Sequence, residues 1–260
     1  MQKIIDTHAH LEECRELESI IETAKTAGLI AIIAVGSDTA SNRQVLDIAD
    51  AYHGFVFPAI GLHPWNINMA TFDRDLEFIE TYTSKAIAIG EIGLDYHKKV
   101  LALNNKDIQK QVLSELLRIA AKNKKTVLLH SRYAWKDCFT SVNLAGIENA
   151  VFHWYTGPSS VLKDILTHGY FISATPAIEY HSEHRRAVSE TPLDRILLET
   201  DSPVTYAHGQ NGEFQAQPSD TRRSLEGTAR IKEIAADELA GITTSNAIQL
   251  FGLPISQEIE

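Results

Sequence analysis

The chain has 260 residues, 44% of them hydrophobic and 22% charged, with 34 acidic against 24 basic side chains and 11 histidines outside that balance. This composition excludes a largely disordered chain, and a formal net charge of -10 excludes coating of nucleic acid or anionic lipid by bulk electrostatics, though not a local basic groove or a bound metal. Two cysteines without CxxC spacing, Cys14 and Cys138, build no disulfide framework and imply a reducing compartment.

The opening MQKIIDTHAH shows no basic segment leading into an apolar one, so no secretory signal is expected. The longest apolar runs, such as Leu29–Val35, fall far short of the roughly 20 residues that span a bilayer, and a cytoplasmic protein without membrane spans is expected. Lys3–Thr7 reads as a buried strand, and Glu13–Ala27 as a helix stopped by Gly28. Leu29–Val35 is the second strand, followed by a helix over Thr39–His53; Phe55–Leu62 is the third, followed by a helix over Phe72–Thr83. Ala86–Ile92 and Thr126–Leu129 flank a long helix over Lys106–Lys122. Asn149–His153, Tyr170–Ala174 and Arg195–Glu199 supply strands six to eight, with helices over Ser160–His168, His181–Glu190 and Thr221–Ala236.

Continuous apolar strands bounded by turns suit a parallel sheet covered on both faces. Eight strands alternating with helices in about 250 residues predict a (β/α)8 TIM barrel, one domain over residues 1–260. An open doubly wound sheet is the alternative, but no strand runs into a GxGxxG or GxxxxGK[ST] turn. Ser202–Asp220 is the least regular stretch and reads as a long loop over the active-site face.

The informative residues are those where apolar strands stop being apolar. The first strand ends Asp6-Thr7-His8-Ala9-His10, where alternation puts His8 and His10 on one face with Asp6 below them. His63, Glu91, His130, His153 and Asp201 lie at the C-terminal ends of strands three, four, five, six and eight, where a barrel assembles its site. Gathering so many ionisable groups at one mouth is costly unless a cation organises them. A mixed His/carboxylate set suits Mg²⁺, Mn²⁺ or Zn²⁺. His8, His10, Glu91, His130, His153 and Asp201 exceed what one tetrahedral ion needs, whereas two divalent ions sharing a bridging carboxylate would use them all.

The blocks DTHAH, GLHP, GEIGLDY, HSR, FHWYTG and LLETDSP, in this order from residue 4 to about residue 250, resemble the signatures of the TatD family of metal-dependent DNases, barrels of the metallo-dependent hydrolase type. The resemblance implies one metal held by His8, His10, Glu91 and Asp201 and a second held by Glu91, His130 and His153, with Glu91 as the bridge. It implies that Asp201 takes a proton from the attacking water, that His63 sits over the scissile phosphate and that Asp95 orients neighbouring groups. It further implies a 3′-5′ exodeoxyribonuclease acting on single-stranded DNA or a 3′ end, usually with Mg²⁺.

Departures from the family pattern bear on substrate. Tyr133 stands where the family has Asp after the strand-five His-x-Arg, and Trp154 with Tyr155 replaces a Cys-Phe pair and could form a base-stacking platform. Strand seven ends Ser173-Ala174-Thr175-Pro176 where the family usually has a Gly-containing Phe-Ser-Gly. Residues 209–218 carry no Lys or Arg where relatives have a basic segment. Lys98, Lys99 and Arg132 remain as basic candidates for a phosphate tail, while Arg222 and Arg223 decorate the start of the last helix. Glu12–Glu22 reads as a solvated helix face, and His97, His168, His181, His184 and His208 as surface or loop residues. Hydrolysis of another ester, such as that of a D-aminoacyl-tRNA, is the second reading, and a non-enzymatic metal-binding barrel the third.

Overall fold

In the computed structural model, which describes residues 2–208 and 212–255, the eight strands form one parallel sheet in sequential order. They are β1 (Ile4–Ala9), β2 (Leu29–Val35), β3 (Val56–Ile60), β4 (Ala88–Gly93), β5 (Thr126–His130), β6 (Ala150–Phe152), β7 (Phe171–Ala174) and β8 (Ile196–Leu198). Helices α1 (Leu17–Thr26), α2 (Thr39–Ala51), α3 (Phe72–Tyr82), α4 (Lys98–Leu101), α5 (Lys106–Lys122), α6 (Trp135–Leu144), α7 (Ser159–Thr167) and α8 (Ser182–Glu190) fill the connections. After β8 come β9 (Thr205–His208), β10 (Gly212–Gln215), α9 (Thr221–Lys232) and α10 (Ala236–Phe251). The predicted (β/α)8 TIM barrel is the fold.

Several elements depart from the expected chain order. Trp135–Leu144 and Ala236–Phe251 are helices where none was assigned, because their apolar stripes are diluted by Lys, Asp, Thr and Asn. The helix expected over 221–236 stops earlier, at Glu233, whose φ of 55° closes α9. The expected loop over 202–220 instead carries an antiparallel pair, β9 with β10; its residues 209–211 lie outside the described residues.

The pleat decides what faces the mouth. One buried cluster (Ile5, Ala31, Ile33, Phe57, Ala59, Ala88, Leu128, Val151 and Leu197) fills the barrel and is closed below by Leu250, Phe251 and Leu253. A second, larger cluster joins the alternate strand residues to the surrounding helices. On β3, β5, β6 and β8 the inward phase continues upward without interruption, from Ala59 to His63, Leu128 to His130, Val151 to His153 and Leu197 to Glu199 and Asp201.

On β1 and β4 the pairing register is interrupted, between Asp6 and Ala9 and between Ile89 and Ile92. Ala9 and Ile92, which an unbroken pleat would turn inward with Ile5 and Ala88, pack in the helix-facing cluster. Each interruption therefore reverses the phase, and His8 and Glu91 turn to the mouth, a re-aiming that bulges commonly produce beside active sites. Gly93 makes room for the second one: at φ +146°, its missing Cβ would lie 2.0 Å from the His130 carbonyl oxygen.

The seam between β1 and β8 closes at the mouth. Asp201 N–H donates to the His8 carbonyl at 2.9 Å and His10 N–H to that of Ser202 at 2.7 Å. Asp6 does not sit below the two histidines: its fully buried carboxylate accepts from His8 N–H, Thr200 N–H and Thr200 Oγ1 at 3.2, 3.1 and 2.5 Å and fastens the seam. Among the described residues no helix is long and apolar enough to cross a membrane.

His184, expected at the surface, is fully buried on α8. Its Nε2 accepts from Thr175 N–H at 3.1 Å, which leaves Nδ1–H to donate to the Tyr155 carbonyl at 3.0 Å. Burial holds this imidazole neutral and lowers its pKa to about 4. The unfolded chain binds the proton first, near pH 6.5, so the stability this group contributes is present above that pH and lost as pH falls to 4. The loss is about 3 kcal/mol. Denaturant titrations should show a stability–pH slope between pH 6.5 and 4 that is shallower by this amount in His184→Gln; an unchanged slope would refute the assignment.

Candidate active site

Glu91 stands at the centre of the mouth, 3% exposed. Its Oε2 lies 3.5 Å from both His8 Nε2 and His10 Nε2, and its Oε1 lies 2.8 Å from His153 Nε2 and 2.9 Å from His130 Nδ1. Asp201 Oδ1 is 3.6 Å from His8 Nε2 and 3.6 Å from His10 Nε2, which are 3.4 Å from each other. The structure therefore brings together all six residues expected as metal ligands.

Behind the histidines stand carboxylates that alternation alone did not single out. Glu199, fully buried, lies 3.5 Å from His153 Nδ1 and 3.9 Å from His8 Nδ1. Glu12 Oε1 is 3.6 Å from His10 Nδ1, and its side chain is only 3% exposed, so it does not belong to a solvated helix face. Asp95 Oδ2 is 2.9 Å from His130 Nε2. Each of the four imidazoles thus has a carboxylate beyond the nitrogen turned away from Glu91, within hydrogen-bond distance for His130 and 3.5–3.9 Å away for His8, His10 and His153. This carboxylate–histidine pattern is the usual support of a metal ligand.

His63 is different. Its Nδ1 accepts the Trp65 backbone N–H at 3.2 Å, so the ring hydrogen sits on Nε2, which faces Glu91 Oε1 at 3.6 Å. Burial lowers its pKa to about 3, and it is a neutral donor. Although His63, Glu91 and His130 lie close enough to share an ion, this tautomer turns an N–H rather than a lone pair toward it.

The electrostatics ask for cations. Burial opposes charge on His10, His130 and His153, yet the carboxylates around them raise all three pKa values: Glu12 and Glu91 act on His10, Asp95 and Glu91 on His130, Glu91 and Glu199 on His153. Burial likewise opposes ionisation of Glu91, but His63 and His153 pull it well below the usual carboxylate range. Burial pushes Asp201 up. Protons on imidazole here balance carboxylates that a divalent ion would balance better, since metal ligation requires the same imidazoles deprotonated.

The donor set fits such ions. The Nδ1 atoms of His8, His10 and His153, both Glu12 oxygens and Glu199 Oε2 are buried without a hydrogen-bond partner, although they face one another across 3.5–3.9 Å. His8 Nε2 and His10 Nε2 lie 3.4 Å from each other and 3.5–3.6 Å from Glu91 Oε2 and Asp201 Oδ1, close enough to share one divalent ion. His8, His10 and Glu91 form one such group, and His8, His153 and Asp201 another.

The expected substrate contacts separate into three sets. Asp95 and Arg132 are at the mouth: Arg132 Nε and an Nη bind Asp95 Oδ2 at 3.0 and 2.8 Å, and Trp65 Nε1–H donates to the same oxygen at 2.6 Å. Lys98 is exposed at the start of the short α4, on the outer lip. Trp154 and Tyr155 do not form a paired platform. Tyr155 is fully buried, its hydroxyl donating to the Pro158 carbonyl at 2.9 Å, so it offers no face to a base. Trp154, at φ +41°, packs on Tyr206 at 5.2 Å between ring centroids, and its backbone N–H donates to Glu199 Oε1 at 3.0 Å. Arg223 is engaged by Glu179 and Arg222 by Gln2 and the Ala27 carbonyl, both as helix-start fixtures.

Comparison with known proteins agrees with this geometry. The family described as TatD related DNase matches residues 5–252. The human protein named Deoxyribonuclease TATDN3 is 31% identical over 261 aligned residues, covering 95% of this chain and 94% of that protein. The uncharacterized metal-dependent hydrolase YabD of Bacillus subtilis is 32% identical, covering 95% of this chain and 98% of its own length. The crystal structure of YJJV, a TatD homolog from Escherichia coli, superposes with a TM-score of 0.85 at 26% identity, covering 96% of this chain and 98% of that one. Family match, barrel and histidine–carboxylate mouth agree: the chain belongs to the TatD-related DNase family and is a metal-dependent hydrolase.

Proposed function

We propose that this enzyme hydrolyses the phosphodiester bonds of DNA as a 3′-5′ exodeoxyribonuclease, acting on single-stranded segments or 3′ ends with two divalent ions. Mg²⁺ is the leading candidate, with Mn²⁺ or Zn²⁺ as substitutes. The observation that carries the reading is the division of labour on Glu91: Oε2 faces His8 and His10, while Oε1 faces His130 and His153. A carboxylate whose two oxygens face different imidazole pairs is placed to bridge two ions. The name of the human relative, a deoxyribonuclease, supplies the substrate class.

His8, His10, Glu91 and Asp201 would hold one ion, and Glu91, His130 and His153 the other. Bound ions would polarise a phosphoryl oxygen and lower the pKa of an attacking water. Asp201, beside the His8/His10 pair, accepts the proton that water gives up. His63 presents Nε2–H to a phosphoryl oxygen, and its neutrality keeps that hydrogen in place through the reaction. Asp95 holds His130 and Arg132 together, so the guanidinium, 38% exposed, meets the anionic chain at a fixed position. Lys98 lies further out and would touch a phosphate beyond the end being cut.

One observation favours the second reading, hydrolysis of another ester such as that of a D-aminoacyl-tRNA: residues 209–218 carry no Lys or Arg to track a backbone. The test is a panel of single-stranded DNA, duplex DNA, RNA and D-aminoacyl-tRNA, each with and without a chelator. Chelator-sensitive release of mononucleotides from a 3′ end is expected. Turnover of the aminoacyl ester with DNA untouched would replace the reading, and metal retained without turnover of any substrate would favour a non-catalytic barrel.

A further inference from the structure

Trp65 stands beside His63 and is 51% exposed, yet its ring is held on several sides. Its Nε1–H donates to Asp95 Oδ2 at 2.6 Å, and its ring meets His63 edge-on, centroids 5.2 Å apart at 78°. The Arg132 guanidinium carbon lies over one face, 5.2 Å from the ring centroid. With its N–H bonded and Arg132 over one face, the indole is still half exposed, so ring surface remains open. That open surface lies one ring away from His63, whose Nε2 is 3.6 Å from Glu91 Oε1.

We propose that Trp65 is the stacking platform for the base of the nucleotide at the cleaved 3′ end, in place of the Trp154/Tyr155 pair. The inference rests on the phosphodiesterase reading and adds a subsite to it. A nucleotide is a phosphate with a planar heterocycle attached at short range, and the mouth presents matching groups side by side: ligand-bearing carboxylates and imidazoles for the phosphate, a flat aromatic face for the base. Because Asp95 and Arg132 already fix the ring, stacking orders no further side chain. The cation behind the indole neither blocks the open surface nor restricts which base can lie on it, so sequence-tolerant recognition is expected.

The test uses the metal-loaded enzyme and two variants that both lose the N–H to Asp95. Trp65→Phe keeps an aromatic face, whereas Trp65→Ala removes it. Calorimetric titration with deoxyadenosine 5′-monophosphate should give a dissociation constant roughly 5- to 150-fold weaker for Trp65→Ala than for Trp65→Phe. Titration with inorganic phosphate should not distinguish the two. Equal nucleotide affinity in both variants would overturn the platform. With oligonucleotides, wild type and Trp65→Phe should show a higher KM for a 3′-terminal abasic residue than for an intact one, and Trp65→Ala should lose that difference; a difference kept in Trp65→Ala would also overturn it. A protein that binds the mononucleotide with the expected dependence but cleaves no oligonucleotide would remove the nuclease reading and leave the base platform standing.

Discussion

Glu91→Gln should lower hydrolysis at least about 10³-fold with Mg²⁺, Mn²⁺ or Zn²⁺ alike, while the far-ultraviolet circular dichroism of the barrel is retained. The substitution keeps the size of the side chain and removes the one anion that His8, His10, His130 and His153 all face. An amide presents one oxygen where the carboxylate presents two, so a shared ligand is lost and both ion sites are affected by a single change. Elemental analysis of the purified variant should therefore show less bound metal than wild type. The fold survives because Glu91 lies above the apolar layers of the barrel, which end at Ala88, Leu128 and Val151 on these strands. Activity near the wild-type level in this variant would sink the bridging assignment, and full metal content with lost activity would confine Glu91 to a chemical role.

Where strand alternation is unbroken, the site could be read from the amino-acid sequence. His63, His130, His153 and Asp201 continue the inward phase of Ala59, Leu128, Val151 and Leu197, so a period of two places them correctly. Glu199 was equally legible by that rule, since it shares a phase with Leu197 and Asp201; an acidic residue inside an apolar strand end was the available signal. His8 and Glu91 were not legible by alternation, because each depends on a register interruption that strings of apolar residues do not announce. Position still included them, since the HxH spacing pairs His8 with His10 and Glu91 ends strand four. The same interruption explains why Asp6, expected beneath the histidines, turns to Thr200 at the seam.

Other misreadings came from judging side chains by type. Glu12 sits in an acidic run, but the 3₁₀ turn over Leu11–Glu13 rolls its carboxylate back onto His10. Tyr155 and Trp154 follow a ligand and so resembled a platform, but the chain turns sharply at Trp154 and carries Tyr155 into the core. Trp65 follows the strand-three His-Pro and escaped notice because nothing local marks it; its significance is tertiary, through Asp95 and Arg132, which lie 30 and 67 residues further along the chain.

Glu199→Ala carries the second large expectation, and it separates support of the ligands from ligation itself. Glu199 is fully buried, faces Nδ1 of His8 and of His153, and accepts the Trp154 backbone N–H. Burial opposes its ionisation, but His153 and then His8 hold its carboxyl below the usual range, so it is an anion paired inside the protein. Removing one partner from a buried pair leaves the others uncompensated, and a loss of about 3–5 kcal/mol of stability is expected in the metal-free protein. The two imidazoles would also lose the carboxylate that faces their Nδ1 atoms across 3.5–3.9 Å. Metal affinity should fall about 10–100-fold by that route, the usual effect of deleting a carboxylate behind a ligating histidine. Because the ions bind only the folded chain, added metal should restore part of the lost stability, the rise in melting temperature beginning at a metal concentration about 10–100-fold higher than in wild type. Glu199→Gln, which can still accept from Nδ1–H, should keep more of the affinity than Glu199→Ala. Equal metal affinity in wild type and Glu199→Ala, measured by competition with a chromophoric chelator, would show that His8 and His153 are held by packing alone and that the buried carboxylate serves only the local fold.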